Sequence, residues 1–269
     1  MKEHVFDKYK NRMNRSGSNV GESLTNNTIS FIESTFHASP TYRVMAVESS
    51  KYPELIEIDG RVVEVERLGT LREIILRPTQ SLEIGMYVEI DGEWYLLIDK
   101  YGGTGSTSIK MLAIKINQSL KWYDENGELQ NFKCVASATD LGSKSRQSKN
   151  EIEWNKYDVR LPIGQLFVSV ELNDFTDKIG LNHRFIFGRN VYEITGVDDI
   201  TNISNDGYGI VQFTAKITTK RNNDNFELGI AENLYGDIYN LEDNTQEEGI
   251  STLSIDTETK KDDNKGRLW

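Results

Sequence analysis

Cysteine and histidine are scarce in this sequence. Its 269 residues include one cysteine, Cys134, and three histidines, His4, His37 and His183. A single cysteine can form neither an intramolecular disulfide nor a thiolate metal cluster, and the histidines share no metal-ligand spacing. We therefore expect Cys134 to be a small buried side chain in a strand. A catalytic thiol would need a nearby base, and no sequence feature places a histidine beside it.

Catalytic motifs are also absent. The sequence contains no phosphate-binding Gly-Lys-Ser/Thr loop, no dinucleotide fingerprint, no Gly-x-Ser-x-Gly elbow and no His-Glu-x-x-His helix. Residues 102–106 are glycine-rich, but they lack the terminal lysine and follow a predicted strand. The carboxylates of Asp198-Asp199 and Asp262-Asp263 are adjacent in sequence, so in a strand they point to opposite faces. We expect no enzymatic activity, no cofactor and no metal site.

Proline, basic charge and long apolar runs are likewise in short supply. Four prolines in the whole chain are compatible with uninterrupted β-ladders. The net charge of −11 argues against a general nucleic-acid binder, whose surface is normally basic. No stretch has the length of a membrane-spanning helix, and the N-terminus lacks an apolar signal core. We expect a protein that is made in the cytoplasm, that stays there or joins an assembly there, and that has no membrane partner.

From Tyr42 onward the sequence is a series of short β-branched and aromatic runs separated by turn signals. Asp-Gly and Asn-Gly pairs suit tight hairpins because both central positions of a type I′ turn need positive φ. Four such pairs occur: Asp59-Gly60, Asp91-Gly92, Asn126-Gly127 and Asp206-Gly207. The pattern predicts a mainly β fold of antiparallel strands.

The strands around Asp91-Gly92 carry bulky residues on both faces. Met86, Val88 and Ile90 share one face of the first strand and alternate with Tyr87 and Glu89; Trp94, Leu96 and Ile98 share one face of the second and alternate with Tyr95, Leu97 and Asp99. Strands with bulk on both faces suit a small closed barrel that packs against a neighbour.

A short β-motif occurs twice. Ile84-Gly85, a strand, Gly92 and Trp94-Tyr95 form the first copy; Ile179-Gly180, a strand, Gly188 and Tyr192 form the second. Each copy is followed by a further predicted strand, at 109–116 and 210–217. The glycines lie seven residues apart in the first copy and eight in the second, so the repeat is imperfect. We predict one or two small antiparallel β-barrels.

Both ends of the chain differ in composition from the middle. Residues 1–15 carry five basic and two acidic side chains and are expected to form an arm, either solvated or docked on an acidic partner. A helix is predicted from Val20 to about Phe36, capped by Ser18 or Asn19 and ended by Ser39-Pro40. Residues 231–269 carry ten acidic and four basic side chains, a local net charge of −6.

These patterns divide the chain into five parts. They are an arm and helix at 1–40, a first barrel-like unit at 41–142, a polar stretch at 143–150, a second barrel-like unit at 151–232 and an acidic extension at 233–269. The polar stretch is interpreted either as a flexible linker or as a loop that reaches a partner or lines a channel.

The repeated motif resembles the small β-barrel proteins of the neck of tailed bacteriophages, the head-completion, connector and stopper proteins. The strongest local match is residues 82–98, and residues 13–18 before the helix are similar to the start of structural proteins from phages of Gram-positive hosts. The resemblance implies a homo-oligomeric ring in the neck of the virion, between portal or adaptor and tail. Double-stranded DNA would pass through this ring without sequence recognition.

The same resemblance implies that the arm, the polar stretch and the acidic extension make contacts between subunits. The candidate contact residues are Arg12, Arg15, Lys144, Arg146, Lys149 and Trp269. A tail-tip or baseplate binding module is the alternative, with Trp94, Tyr95, Trp122, Tyr123 and Trp154 as stacking platforms, although such aromatics are more often core residues. A tail terminator or another virion protein is a further alternative.

Overall fold

The computed structural model describes residues 17, 19–65, 69–102, 107–138, 164–204 and 206–233. Within them the fold comprises one α-helix, α1 (Val20–Thr35), a short 3-10 turn (Phe36–Ala38) and twelve strands. The first six strands are β1 (Tyr42–Ser49), β2 (Tyr52–Glu64), β3 (Leu71–Leu76), β4 (Tyr87–Ile90), β5 (Glu93–Tyr101) and β6 (Lys110–Lys115). The other six are β7 (Gln118–Tyr123), β8 (Leu129–Ser137), β9 (Gln165–Glu171), β10 (Arg184–Phe187), β11 (Asn190–Asp198) and β12 (Ile210–Thr218).

The first six strands form a closed antiparallel barrel in the order β1-β2-β3-β6-β5-β4. It closes where β4 pairs with β1, including the pair Val47–Val88. The predicted alternation is confirmed, since Met86, Val88 and Ile90 point into the barrel core. Every second residue of each strand faces the interior, and the residues at these positions are mostly apolar.

The other six strands repeat this topology in the order β7-β8-β9-β12-β11-β10. The two units also share a fine detail. The ladder between β5 and β6 shifts register after Leu97, and the ladder between β11 and β12 shifts after Ile194. Leu97 exchanges backbone hydrogen bonds with Gly85 and Met86, just before β4, and Ile194 exchanges them with Asn182 and His183, just before β10. Leu97 and Ile194 therefore occupy equivalent places. The duplication predicted from the sequence is therefore present in the fold.

The glycines of the repeat do not align as the sequence analysis assumed. The equivalent of Gly85 is Asn182, because Gly85 N–H donates to Leu97 and Asn182 N–H donates to Ile194. Both have positive φ, +93° and +64°. The hairpin turns also differ: Asp91 and Gly92 both have positive φ, as in a type I′ turn, whereas Gly188 occupies the first turn position with φ +60°. These two offsets explain the unequal spacing of the glycines.

The second sheet does not close through backbone pairing among its described strands. The two units can be aligned by matching their bulges and then following the paired residues from strand to strand. In this alignment Val47 and Val88, which pair in the first barrel, correspond to Trp122 and Phe185 in the second unit. The rings of Trp122 and Phe185 meet edge to face with centroids 5.9 Å apart. Two buried aromatic rings need more room than two valines, so β7 and β10 contact each other through side chains.

The boundary between the two sheets lies upstream of the predicted one. The sequence pattern places residues 41–142 in the first unit, whereas β7 and β8 pair with each other and β8 pairs with β9 of the second sheet. The physical reason is that β6 already has partners on both edges, β3 and β5, so the chain must leave the first barrel after it. The polar stretch 143–150 falls in the connection from β8 to β9, outside the described residues.

One predicted turn is wrong. Asp59-Gly60 lies in the middle of β2, and the hairpin between β1 and β2 turns instead at Ser50-Lys51. Glycine at position 60 leaves room for a core side chain, because a Cβ there would lie 2.4 Å from the Cε atom of Met45. The turns at Asp91-Gly92 and Asn126-Gly127 are confirmed.

Helix α1 begins and ends close to its predicted bounds. Asn19 is the N-cap, and its side-chain oxygen accepts a hydrogen bond of 2.8 Å from the Glu22 N–H. The helix ends at Thr35, and Phe36 begins the 3-10 turn. None of the residues in α1 is buried, although Phe36, directly after it, is completely buried.

Candidate assembly site

The two barrels are joined by a continuous apolar cluster, which we call the junction. The outer face of the first barrel contributes Leu71, Tyr87, Leu96, Ile98, Leu112 and Ile114, and the second unit contributes Val135 and Ile210. This outer face was predicted to pack against a neighbour, and the neighbour is the second half of the same chain. Because the cluster is buried, separating the barrels would expose apolar surface to water.

Tyr87 provides the polar centre of the junction. Its side chain is 3% exposed, and its hydroxyl donates a hydrogen bond of 2.6 Å to the Lys133 carbonyl oxygen. The same hydroxyl accepts a hydrogen bond of 3.3 Å from the Glu171 N–H. Burial raises the pKa of this phenol well above its ordinary value. One side chain of the first barrel therefore contacts the backbone of two strands of the second sheet.

A buried carboxylate lies beside this tyrosine. Glu171 is 4% exposed and accepts hydrogen bonds from the Ser49 hydroxyl at 2.6 Å and the Ser50 N–H at 2.9 Å. Desolvation raises the pKa of Glu171, and these hydrogen bonds only partly offset it. The β1–β2 turn of the first barrel is thus held by an acidic residue at the end of β9.

Ionic contacts surround the junction. The Lys133 ammonium lies 2.5 Å from a Glu48 carboxylate oxygen and 3.9 Å from the centre of the Trp94 ring. The Lys51 ammonium donates to the carbonyl oxygens of Asp206 and Gly207 and lies 3.8 Å from the centre of the Tyr208 ring. These contacts link the edges of the two barrels and limit their relative rotation.

The segment after β12 is fastened to the second sheet by a buried ion pair. Arg184 donates to both carboxylate oxygens of Asp224 at 3.1 and 3.0 Å, and also to the carbonyl oxygens of Thr219 and Glu232. The side chains of Arg184 and Asp224 are 2% and 0% exposed. Asn233 adds two hydrogen bonds to the backbone of Arg184, so the described chain is held to its last residue.

Helix α1 is attached to the first barrel at its C-terminal end. The guanidinium groups of Arg61 and Arg77 lie 4.7 and 4.8 Å from the centre of the Phe36 ring. Arg61 also donates to the carbonyl oxygens of Thr35 and Phe36, and Arg77 forms a 2.9 Å ion pair with Glu33. The last turn of the helix is therefore fixed to the first barrel.

The candidate contact residues from the sequence analysis cannot be placed in this arrangement. Arg12, Arg15, Lys144, Arg146, Lys149 and Trp269 all lie outside the described residues, as does the acidic extension beyond Asn233. No sequence pattern points to the residues that build the junction. Gly85 was recognised as part of the repeat, but its contact with the second unit left no signal in the sequence.

The described aromatic residues of the alternative prediction do not form an exposed platform. Tyr95 and Trp122 are 2% and 3% exposed and belong to the interiors of the two units. Trp94 is partly buried and its ring faces Lys133, while Trp154 lies outside the described residues. Only Tyr123 of the described set is well exposed, at 45%. These aromatics pack and stabilise strands, as is usual for such residues.

Two titratable groups singled out from the sequence are buried. Cys134 is completely buried in β8, as expected, and burial raises the pKa of its thiol. His183 stacks on Phe185 with ring centres 5.1 Å apart, and burial lowers the pKa of its imidazole to about 4.

Among the described residues, no group of three or more His, Cys, Asp or Glu side chains has a metal-binding arrangement. No helix in this part of the chain combines the length and apolarity needed to cross a bilayer.

These features define a protein of two small six-stranded β-units joined by a buried junction, with an N-terminal helix attached to the first. Residues 118–216 match the family described as the YomX C-terminal domain. The match begins at the first residue of β7 and ends within β12, so it coincides with the second unit. The family is of a phage type, like proteins of the Bacillus phage SPBeta, and its match covers 99 of the 269 residues of this chain.

Among solved structures, the chain is similar to three of MrkH from K. pneumonia, described as a c-di-GMP-dependent transcription regulatory factor. Two of them share 8% identity over 74% of this chain and 87% and 86% of MrkH, with TM-scores of 0.22 and 0.20. Scores this low carry no inference about the fold or function of this chain. No curated protein matches the chain in sequence.

Proposed function

We propose that the protein is a structural component of a tailed-phage particle and forms a homo-oligomeric ring in the neck. There it would complete the filled head, join the portal or adaptor to the tail and line the passage for DNA. The observation that carries the proposal is the coincidence of a phage-type domain, residues 118–216, with one of the two repeated six-stranded units of this chain.

The junction supports a mechanical role. Its apolar cluster and the hydrogen bonds of Tyr87 and Glu171 hold the two barrels in one orientation. A subunit in a load-bearing ring must transmit force without changing shape, and a buried interface with satisfied polar groups provides that rigidity. In this proposal the subunit has no catalytic role and needs no cofactor.

The charge of the chain supports a channel that lets DNA pass. A basic wall would hold DNA through its phosphates, whereas a protein with a net charge of −11 attracts it weakly or repels it. Sequence recognition is not required, because the ring would contact DNA only in transit. The protein would assemble in the host cytoplasm and remain in the virion.

Imaging of purified particles by cryo-electron microscopy tests the proposal directly. We expect a ring of copies between portal and tail, each with two barrels that match the present fold. Particles of a phage that lacks the gene should have filled heads that leak DNA or fail to join tails. A protein that is absent from purified virions would overturn the proposal.

A further inference from the structure

A pair of tyrosines connects the two barrels beside the junction. Tyr52 begins β2 of the first barrel, and Tyr208 lies in the connection from β11 to β12 of the second unit. Their rings are close to parallel, with an interplanar angle of 24° and centroids 6.5 Å apart. The Tyr208 hydroxyl donates a hydrogen bond of 3.0 Å to the Tyr52 hydroxyl. Two phenols from different barrels therefore meet oxygen to oxygen.

Each ring is positioned by contacts that do not depend on the other ring. Tyr208 packs against the apolar core of the first barrel, and the Lys51 ammonium lies 3.8 Å from the centre of its ring. Tyr52 follows the β1–β2 turn, in which the Ser50 N–H donates to the buried Glu171 carboxylate. The fold thus holds the two phenols together before any reaction takes place.

The pair is accessible from solvent. Tyr52 is 42% exposed, and Tyr208 is partly buried. Because Tyr52 accepts the hydrogen bond between them, its own hydroxyl proton is directed elsewhere and can pass to water. The hydrogen bond to Tyr52 raises the pKa of Tyr208 to about 12, so Tyr208 keeps its proton near pH 7 and remains the donor.

We propose that Tyr52 and Tyr208 form an oxidative cross-linking site, at which a one-electron oxidant from solution joins the two barrels through a dityrosine bond. Coupling takes place between the ring carbons next to the hydroxyl groups. Each of these carbons is two bonds from its oxygen, so hydroxyl oxygens 3.0 Å apart keep the two reacting carbons near one another. Groups held in this way react far faster than groups that must meet by diffusion.

The reaction balances with two equivalents of the oxidant. Each phenol gives one electron to the oxidant and its hydroxyl proton to water, which leaves two phenoxyl radicals. The radicals form one carbon–carbon bond, and the hydrogens on the two bonded carbons then move to the oxygens. Both phenols are restored, and the chain has lost two electrons and two protons.

The cross-link would supply a covalent constraint that the cysteine content does not allow. The chain has one cysteine and can form no disulfide within itself. A bond between Tyr52 and Tyr208, which are 156 residues apart, would close a long loop and restrict the unfolded chain as a disulfide does. The inference does not rest on the proposed ring, since both phenols belong to one subunit.

The test oxidises the full-length chain at low concentration with tris(bipyridine)ruthenium(II), persulfate and light, which generate one-electron oxidants. We expect a monomer that is lighter by two hydrogen atoms, shows dityrosine fluorescence and gives a cross-linked peptide containing Tyr52 and Tyr208. Tyr52→Phe and Tyr208→Phe should each lower the yield of this product by about tenfold or more, because phenylalanine cannot form the phenoxyl radical and the remaining tyrosine has lost its positioned partner.

Tyr101→Phe is the matched control, since the Tyr101 hydroxyl donates to the Glu73 carboxylate rather than to a phenol. It should leave the yield unchanged. The cross-linked chain should also unfold at a higher urea concentration than the unoxidised chain, and Tyr52→Phe should not show this gain. Circular dichroism before oxidation checks that each variant is folded. Dityrosine that persists within the Tyr52→Phe monomer, or that forms only between chains in covalent dimers, would overturn the inference, as would an unmodified chain that forms none.

Discussion

A Cβ atom added to Gly85 would lie 2.0 Å from the carbonyl oxygen of Gly209, so the two barrels meet backbone to backbone at this point. Gly85 has φ +93°, and the Gly209 oxygen also accepts a hydrogen bond of 2.9 Å from the Leu172 N–H. Neither backbone can retreat without breaking contacts of the junction. Gly85 is thus required both by conformation and by space.

Substitution of Gly85 by alanine should therefore destabilise the protein strongly. We expect Gly85→Ala to reduce the free energy of unfolding by about 3 kcal/mol or more, from backbone strain and the clash with Gly209. Gly92→Ala is the control, because Gly92 has a similar φ of +82° but open space around it. It should cost about 1 kcal/mol. Equal losses in urea titrations would show that the contact at Gly209 is unimportant.

Removal of the charge on Asp224 should also be severe. Asp224→Asn would leave the Arg184 guanidinium buried without a counter-ion, at a cost of about 3–5 kcal/mol. The exposed pair Arg43–Asp91, with side chains 43% and 67% exposed, provides the comparison. Asp91→Asn should change stability by less than about 1 kcal/mol. Chemical denaturation of both variants measures the difference, and a similar effect at the two sites would contradict it.

The stability of the protein should fall on mild acidification because of His183. Its pKa is lowered to about 4 in the fold and is about 6.5 in the unfolded chain, so the unfolded state binds more protons between these values. The free energy of unfolding is highest above pH 6.5, where the imidazole is neutral in both states, and it declines by about 3 kcal/mol as the pH falls through 4.

The histidine contribution is measured by unfolding His183→Phe between pH 4 and pH 7. We expect this variant to lose most of the acid-dependent decline, because phenylalanine cannot take up a proton. The same substitution at exposed His37 serves as the control and should retain the decline. An unchanged pH dependence in His183→Phe would disprove the assignment.

Glu171 should act with the opposite sign. Its pKa is raised above the ordinary 4.5 by burial in the junction, so the folded state binds more protons than the unfolded state above that pH. Its contribution is most favourable below pH 4.5 and is lost as the pH rises through the folded pKa. Glu171→Gln should therefore gain stability relative to the unmodified chain as the pH increases from 4 to 8. A difference that does not vary with pH would contradict this expectation.

Local patterns predicted much of the secondary structure. The alternation around Asp91-Gly92 predicted that Leu96 and Leu97 lie on opposite faces of β5, and this is confirmed, since Leu97 lies in the barrel core and Leu96 in the junction. Helix α1 was predicted almost to the residue because Asn19 and Pro40 are local signals. Asp59-Gly60 misled the prediction, since the same dipeptide signal also arises where glycine makes room for a core side chain such as Met45.

The assembly site was far less predictable. The junction depends on contacts such as Tyr87 with Lys133 and Ser49 with Glu171, which are 46 and 122 residues apart in sequence. No periodicity encodes such a pairing, because the partners are brought together only when both barrels have formed. The predicted contact residues were chosen from charged segments, and the structure describes none of those segments.

The antiparallel β class, the repeated hairpin and the capped helix follow from local sequence, since each depends on side chains within a few residues of one another. The folded chain was needed to establish that β7 and β8 belong to the second sheet and that Gly85 faces Gly209. It was also needed to show that Val47 and Val88 close one barrel while Trp122 and Phe185 hold the strands of the other apart. These outcomes follow from strand partners and side-chain volumes at distant positions, which compete in the folded chain and leave no local signal.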